Sequence, residues 1–159
     1  MPAKSWDSYK DTLYEVLQEV KPRVILEFGS GFSTQIMALY PSVEKLVSVE
    51  HNEEYYRRNL GQVQENSKLI YEPNLNIYAK TKVDGRTDLA FVDGRNRSAC
   101  LREIRCLGCP VILHDADREQ YREAVLEYKF QIWTDNMSTV TLTDDEVMFK
   151  RLSEVLRGR

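Results

Sequence analysis

Cysteine is scarce: Cys100, Cys106 and Cys109 are the only three in 159 residues. So small and odd a number excludes a disulfide framework and fits a reducing compartment. Cys106 and Cys109 have Cys-x-x-Cys spacing, but no second pair completes a zinc set, and His114 is the only imidazole close by in sequence. They read as small apolar residues at a helix end and a strand start. Long apolar runs are also missing, and the first twenty residues carry Lys4, Asp7, Lys10, Asp11, Glu15 and Glu19. Neither a signal peptide nor a membrane-spanning helix is expected. Charge of one sign is lacking, with 22 Lys plus Arg against 25 Asp plus Glu and a net charge of −3. Nothing global therefore points to nucleic acid. There is no repeat, low-complexity tract or linker, apart from a polar tail at Arg157 to Arg159. The expectation is one soluble cytoplasmic domain over residues 1–159, with room for one sizeable core.

The stretch from Val24 to Thr34 organises the rest. An apolar, β-rich run from Val24 to Phe28 suits a strand covered on both faces. It breaks at Gly29, Ser30 and Gly31, where glycines permit a tight turn and let a ligand approach the main chain. Ser33 or Thr34 is expected to cap a helix starting at Gln35. Strand, Gly-x-Gly and helix are common to dinucleotide sites and S-adenosylmethionine sites. Thr34 stands where a dinucleotide fingerprint has its third glycine. Glu27, read as part of the turn, would face a phosphate badly and a sulfonium or amino group well.

The other elements follow in alternation. Trp6, Tyr9, Leu13, Val16, Leu17 and Val20 recur at helical spacing behind Ser5, and Pro22 ends that helix. Strands are expected at Lys45 to Val49, Lys68 to Tyr71, Leu89 to Asp93 and Pro110 to His114. Helices are expected near Asn52 to Val63, from about Ser98 to Leu107, and from Asp117, where Gln120 completes a capping box, through Tyr128. Between Pro73 and Asp88 no helix is convincing. Phe130 to Thr134 and Val147 to Leu152 look β-like, Thr139 to Leu142 could be extended, and Asp144 with Asp145 signals a turn. Such alternation implies right-handed crossovers and a parallel sheet whose crevice lies at the strand carboxyl ends. Glu27, Glu50, Asp93, His114 and Asp115 all fall there, and Glu50, 19 positions past Gly31, has the spacing of an acid that holds ribose hydroxyls.

These residues resemble the class I S-adenosylmethionine-dependent methyltransferases. The likeness is carried by Glu27 to Thr34, by Glu50 with His51 and Asn52, by Phe91 to Arg97, and by Leu113 to Asp117. It implies a single Rossmann-like α/β domain with a seven-stranded, mostly parallel sheet of order 3-2-1-4-5-7-6, strand 7 antiparallel, and helices on both faces. S-adenosylmethionine would be the cofactor. Gly29, Ser30, Gly31, Ser33 and Thr34 would form its turn, with Glu27 near its amino end, Glu50 on the ribose, and His51 and residues 73–75 near the adenine. Asp93 and Gly94 would face the methionine portion and the methyl group.

Methyl transfer needs positioning first, and a base only where the acceptor is a hydroxyl or amine that must lose a proton. His114 is the candidate base, with Asp93 and Asp115 beside it. Asp93, Asp115 and Asp117 could instead gather a divalent cation, although Asp117 is assigned to its cap and no metal is expected. Arg95 and Arg97 flank the expected methyl position and suit an anionic acceptor. Only about twenty residues precede the first strand, so the acceptor is large and docks on an open face, or a second copy covers it, which makes a homodimer the expected state. The competing readings are a non-catalytic cofactor-binding or assembly module and an NAD or nucleotide-sugar enzyme of related fold.

Overall fold

A computed structural model describes residues 7–156. Ser5, Trp6 and the tail from Arg157 lie outside the described residues. Seven strands, β1 (Val24–Phe28), β2 (Lys45–Glu50), β3 (Ser67–Tyr71), β4 (Leu89–Val92), β5 (Val111–His114), β6 (Phe130–Trp133) and β7 (Thr139–Thr143), form one sheet in the order 3-2-1-4-5-7-6. The pairings from β3 through β5 are parallel, and β7 runs antiparallel to β5 and β6. This is the expected doubly wound sheet. Strands β1, β4 and β5 are almost wholly buried, as their continuous apolar runs require.

Strand alternation sorts the two faces. Helices α4 (Leu75–Ala79), α5 (Arg97–Arg105) and α6 (Arg122–Leu126) cover the face that presents Leu26, Phe28, Ala90, Val92, Val111 and Leu113. Helices α1 (Asp7–Val20), α2 (Phe32–Leu39) and α7 (Glu146–Leu156) cover the other, which presents Ile25, Leu46, Leu89, Phe91 and Ile112. Helix α3 (Glu53–Leu60) lies along β2 and β3 with no residue fully buried. Leu13 and Leu17 on α1 are completely buried, each contributing about 2 kcal/mol of transfer free energy. No helix of the described residues is long and apolar enough to cross a membrane.

Four expectations need correction. The β-like segment 147–152 is helical: Met148, Leu152 and Leu156 recur every fourth residue, and the last two are buried on the sheet beside α1. The turn expected at Asp144 and Asp145 is present, and Asp145 accepts the Met148 N–H to start that helix. A helical turn, α4, does exist after β3, because the Asn74 side chain accepts the Asn76 and Ile77 amides. Asp117 caps nothing: a short 3-10 turn, Glu119–Tyr121, begins behind Arg118 and leads into α6. Helix α2 starts two to three residues early, at Phe32, with Gly31 at its cap position.

Candidate active site

The order in which strands are added to the sheet reverses between β1 and β4, which run parallel, and at that switch point the turns after the two strands meet. Gly29 has φ +93°, and a Cβ there would come 2.8 Å from Gly94 Cα. A Cβ on Gly94 would in turn come 1.9 Å from the hydroxyl of Tyr78, which is buried without a hydrogen bond of normal geometry. The two glycines are thus required by the protein's own packing. Gly31 is different, since a Cβ there would meet nothing within 4 Å and its φ of 168° is extended backbone. Its bare backbone leaves open space at the start of α2.

Above these turns is a crevice of about 300 Å³, lined by Gly29 and Ser30 from β1, by Glu50, His51, Asn52 and Tyr55 from the end of β2 and the start of α3, by Asp93, Gly94, Arg95 and Arg97 from β4 and α5, and by Arg118 and Tyr121. The position is that of ligand sites in open α/β sheets. Glu50 stands on one side. Its Oε2 accepts the Ser30 amide and hydroxyl, both at 3.0 Å, and its Oε1 accepts the Asn52 amide at 2.9 Å. The His51 Nδ1 lies 3.2 Å from Oε1 without a well-formed hydrogen bond. Asp93 stands on the other side.

Glu27 lies beneath the turn and not in the crevice. It is fully buried, and its carboxyl accepts from Ser33 at 2.8 Å, from Ser48 at 2.6 Å and from Thr34. Burial pushes its pKa up from 4.5 to about 7, against the lowering effect of the three hydroxyls. Ser33 does not cap α2, its hydroxyl being spent on Glu27, whereas Thr34, three residues past the Gly31 cap position, serves the helix start as well as Glu27. Thr34 in addition accepts the Gly31 amide at 2.9 Å.

Register explains the second cluster. Phe91 pairs with Ile112 and Val92 with Leu113, so Asp93 and His114 follow side by side on the α1 face. His114 Nδ1 lies 2.8 Å from Asp93 Oδ1. Asp115, next in the chain, would ordinarily point away, but its φ of 51° breaks the strand and brings its Oδ1 to 3.6 Å from His114 Nε2. The imidazole is 2% exposed, with the Tyr9 ring edge-on at 4.8 Å. Only the carboxylates, about 30% exposed, reach outward.

Arg97, expected to meet an anionic acceptor, is buried and committed to protein groups: Nε donates to Gly94 O at 2.8 Å, Nη1 donates to the His114 carbonyl, and the Tyr121 ring lies 5.3 Å away. Arg95 is exposed, with no ion pair among the described residues. Arg118, half exposed and 3.1 Å from Asp115, joins it at the crevice. Arg118, Tyr121, Tyr55, Ser48 and Tyr9 were not identified from sequence. The Asp115 conformation that brings Arg118 in has no signature, whereas Tyr9 was visible only as a core position of α1. Residues 73–75 and His51 separate, since His51 lines the crevice and 73–75 do not.

No family model matches the sequence, and no curated protein matches it. Solved structures do. A methyltransferase-like protein from Silicibacter pomeroyi superposes with a TM-score of 0.67 at 15% identity, over 100% of this chain and 96% of that one. The O-methyltransferase TomG from Streptomyces achromogenes, solved with S-adenosylmethionine, gives 0.55 at 15% identity over 90% and 87%. Spermidine synthase with a transition-state analogue gives 0.68 at 12% identity, where this chain covers 62% of the other. At these identities the likeness establishes the class I methyltransferase fold.

Proposed function

We propose that this chain transfers a methyl group from S-adenosylmethionine to the hydroxyl or amine of an acceptor bound at the crevice between Glu50 and Asp93. The observation that carries the reading is the placement of these two carboxylates on opposite sides of the Gly29 and Gly94 contact, at the switch point of this fold. The residues fit the cofactor. Glu50 offers remaining acceptor capacity to ribose hydroxyls, and the side-chain-free backbone at Gly31 admits a close approach that packing does not explain. Glu27 supports this turn from below by holding Ser33 and Thr34.

When bound, the cofactor supplies an electrophilic methyl carbon on a sulfonium. The chain's own part is to orient the acceptor and take its proton. Asp93 and Asp115 face outward and His114 lies behind them, so the proton reaches a carboxylate first and His114 acts through its 2.8 Å bond to Asp93. Arg95 and Arg118 at the rim favour an acceptor that carries negative charge. An apolar cleft beside the turn, with Phe32 63% and Leu39 68% exposed, favours self-association or a large acceptor. Free thiols and balanced charge favour the cytoplasm.

Calorimetric titration with S-adenosylmethionine, S-adenosylhomocysteine and NAD tests the proposal. The first two are expected to bind and NAD is not. Binding of NAD alone, or of none, would overturn it.

A further inference from the structure

Arg97 stands where local rules disfavour it. It is the first residue of α5, where unpaired backbone amides repel a cation, and it is 6% exposed, where a guanidinium needs dedicated partners. Those partners surround it. Nε and Nη1 are tied to the carbonyls of Gly94 and His114, while Nη2 lies 3.5 Å from Asp93 Oδ1 and 3.6 Å from Asp115 Oδ2. Asn96, in a left-handed conformation with φ 49°, turns the chain so that this side chain folds back toward β4. Asp93, His114 and Asp115 are also the group of donor atoms, all within 4.8 Å of one another, that could hold a metal ion among the described residues.

We infer that Arg97 is a built-in cation that takes the place of a divalent metal in the Asp93, His114 and Asp115 cluster and fixes the Asp93 and His114 pair in position. Its Nη2 lies near one oxygen of each carboxylate. The two carboxylates bring two negative charges, and Arg97 with the outer Arg118 brings two positive ones. Little charge is left to attract a dication, and an ion at the ~2.0–2.6 Å oxygen distances of magnesium or calcium would crowd the guanidinium. Arg118 is half exposed and can move aside. Arg97 is anchored by two backbone carbonyls and cannot. The positioning role rests on the methyl-transfer reading, whereas the charge replacement stands without it.

Manganese titration tests the replacement with neither cofactor nor acceptor present, so its failure is distinguishable from failure of the methyl-transfer reading. Paramagnetic broadening of the His114 ring signals reports the ion's location. Wild-type protein is expected to show no saturable broadening at millimolar Mn²⁺. Arg97→Ala, its fold checked by circular dichroism, is expected to gain a saturable site, and adding Asp115→Asn should remove it. If Arg97→Ala does not fold, Arg97→Gln, which retains an amide donor for the backbone carbonyls, is read in its place. Saturable Mn²⁺ binding beside His114 in the wild type, or a folded variant that gains no site, overturns the inference.

Discussion

Replacing Glu27 with glutamine should make the protein more stable at neutral pH and flatten its pH dependence. The Glu27 carboxyl is fully buried, and its pKa is pushed up from 4.5 to about 7, by desolvation first and by nearby Asp93 to a lesser degree. Between these two values the folded chain holds a proton that the unfolded chain has released. Stability then falls as pH rises from about 4.5 to about 7 and levels off above. At ~1.4 kcal/mol per pH unit, the gap corresponds to about 3 kcal/mol, or roughly 6–12 °C in melting temperature for a domain of this size. Glutamine cannot ionise. The hydroxyls of Ser33, Thr34 and Ser48 can rotate to serve its amide, because each can donate or accept.

Urea denaturation of both proteins at pH 5 and pH 7.5 isolates this contribution, since groups not coupled to Glu27 cancel in the difference. The wild type should lose about 2 kcal/mol more than Glu27→Gln between the two conditions, because at pH 5 the unfolded chain has already released most of that proton. Parallel pH profiles would refute the reasoning. They would mean that Glu27 ionises in the fold at no cost, with the three hydroxyl donors outweighing burial.

Glu50→Ala is expected to weaken S-adenosylmethionine binding by roughly 10-fold or more, and unchanged calorimetric affinity would remove Glu50 from the site. Once an acceptor is identified, His114→Gln should lower the maximal rate and leave cofactor affinity nearly intact, while EDTA should change neither. Sedimentation at tens of micromolar is expected to show a dimer (roughly where weak interfaces populate); a monomer at that concentration leaves the large acceptor as the reason for the open face. Cys106, the exposed thiol, should react with a maleimide in the folded state, whereas Cys100 and Cys109, buried and with pKa values pushed up to about 12, should react only on unfolding.

The sheet was legible because its strands depend on short-range signals. Leu89 to Val92 is apolar throughout and Val24 to Phe28 is so but for Glu27, which suits strands covered on both faces, and each run is followed by a glycine or acid at the crevice. Where the reading failed, the decisive partner was distant in sequence. Segment 147–152 is β-rich by composition, yet Met148, Leu152 and Leu156 line up only on a helix, and they find their partners on α1, more than 130 residues earlier. The weak α4 depends on one Asn74 cap.

The candidate site divides in the same way. The half proposed for the cofactor is built from strand ends, so the Gly-x-Gly turn, the strand-end acids and the family resemblance together indicated Gly29, Ser30, Glu50 and Asp93, which the fold brings around one crevice. The half proposed for the acceptor depends on two non-glycine residues with positive φ, Asn96 and Asp115; Asn and Asp adopt that conformation more readily than other side chains, but their presence alone does not require it. Asp115 turns back toward His114, and the Asn96 turn sends Arg97 inward instead of out to an acceptor. Two adjacent arginines with the same apparent purpose are thereby separated, Arg95 facing solvent at the crevice and Arg97 holding carboxylates and carbonyls behind it. Strain of this kind costs of order 1–3 kcal/mol per residue. Two such residues, one within the Asp93, His114 and Asp115 cluster and one beside it, with the Arg97 guanidinium near both carboxylates and bonded to the Gly94 and His114 carbonyls, indicate that the cluster's geometry is what the surrounding fold maintains.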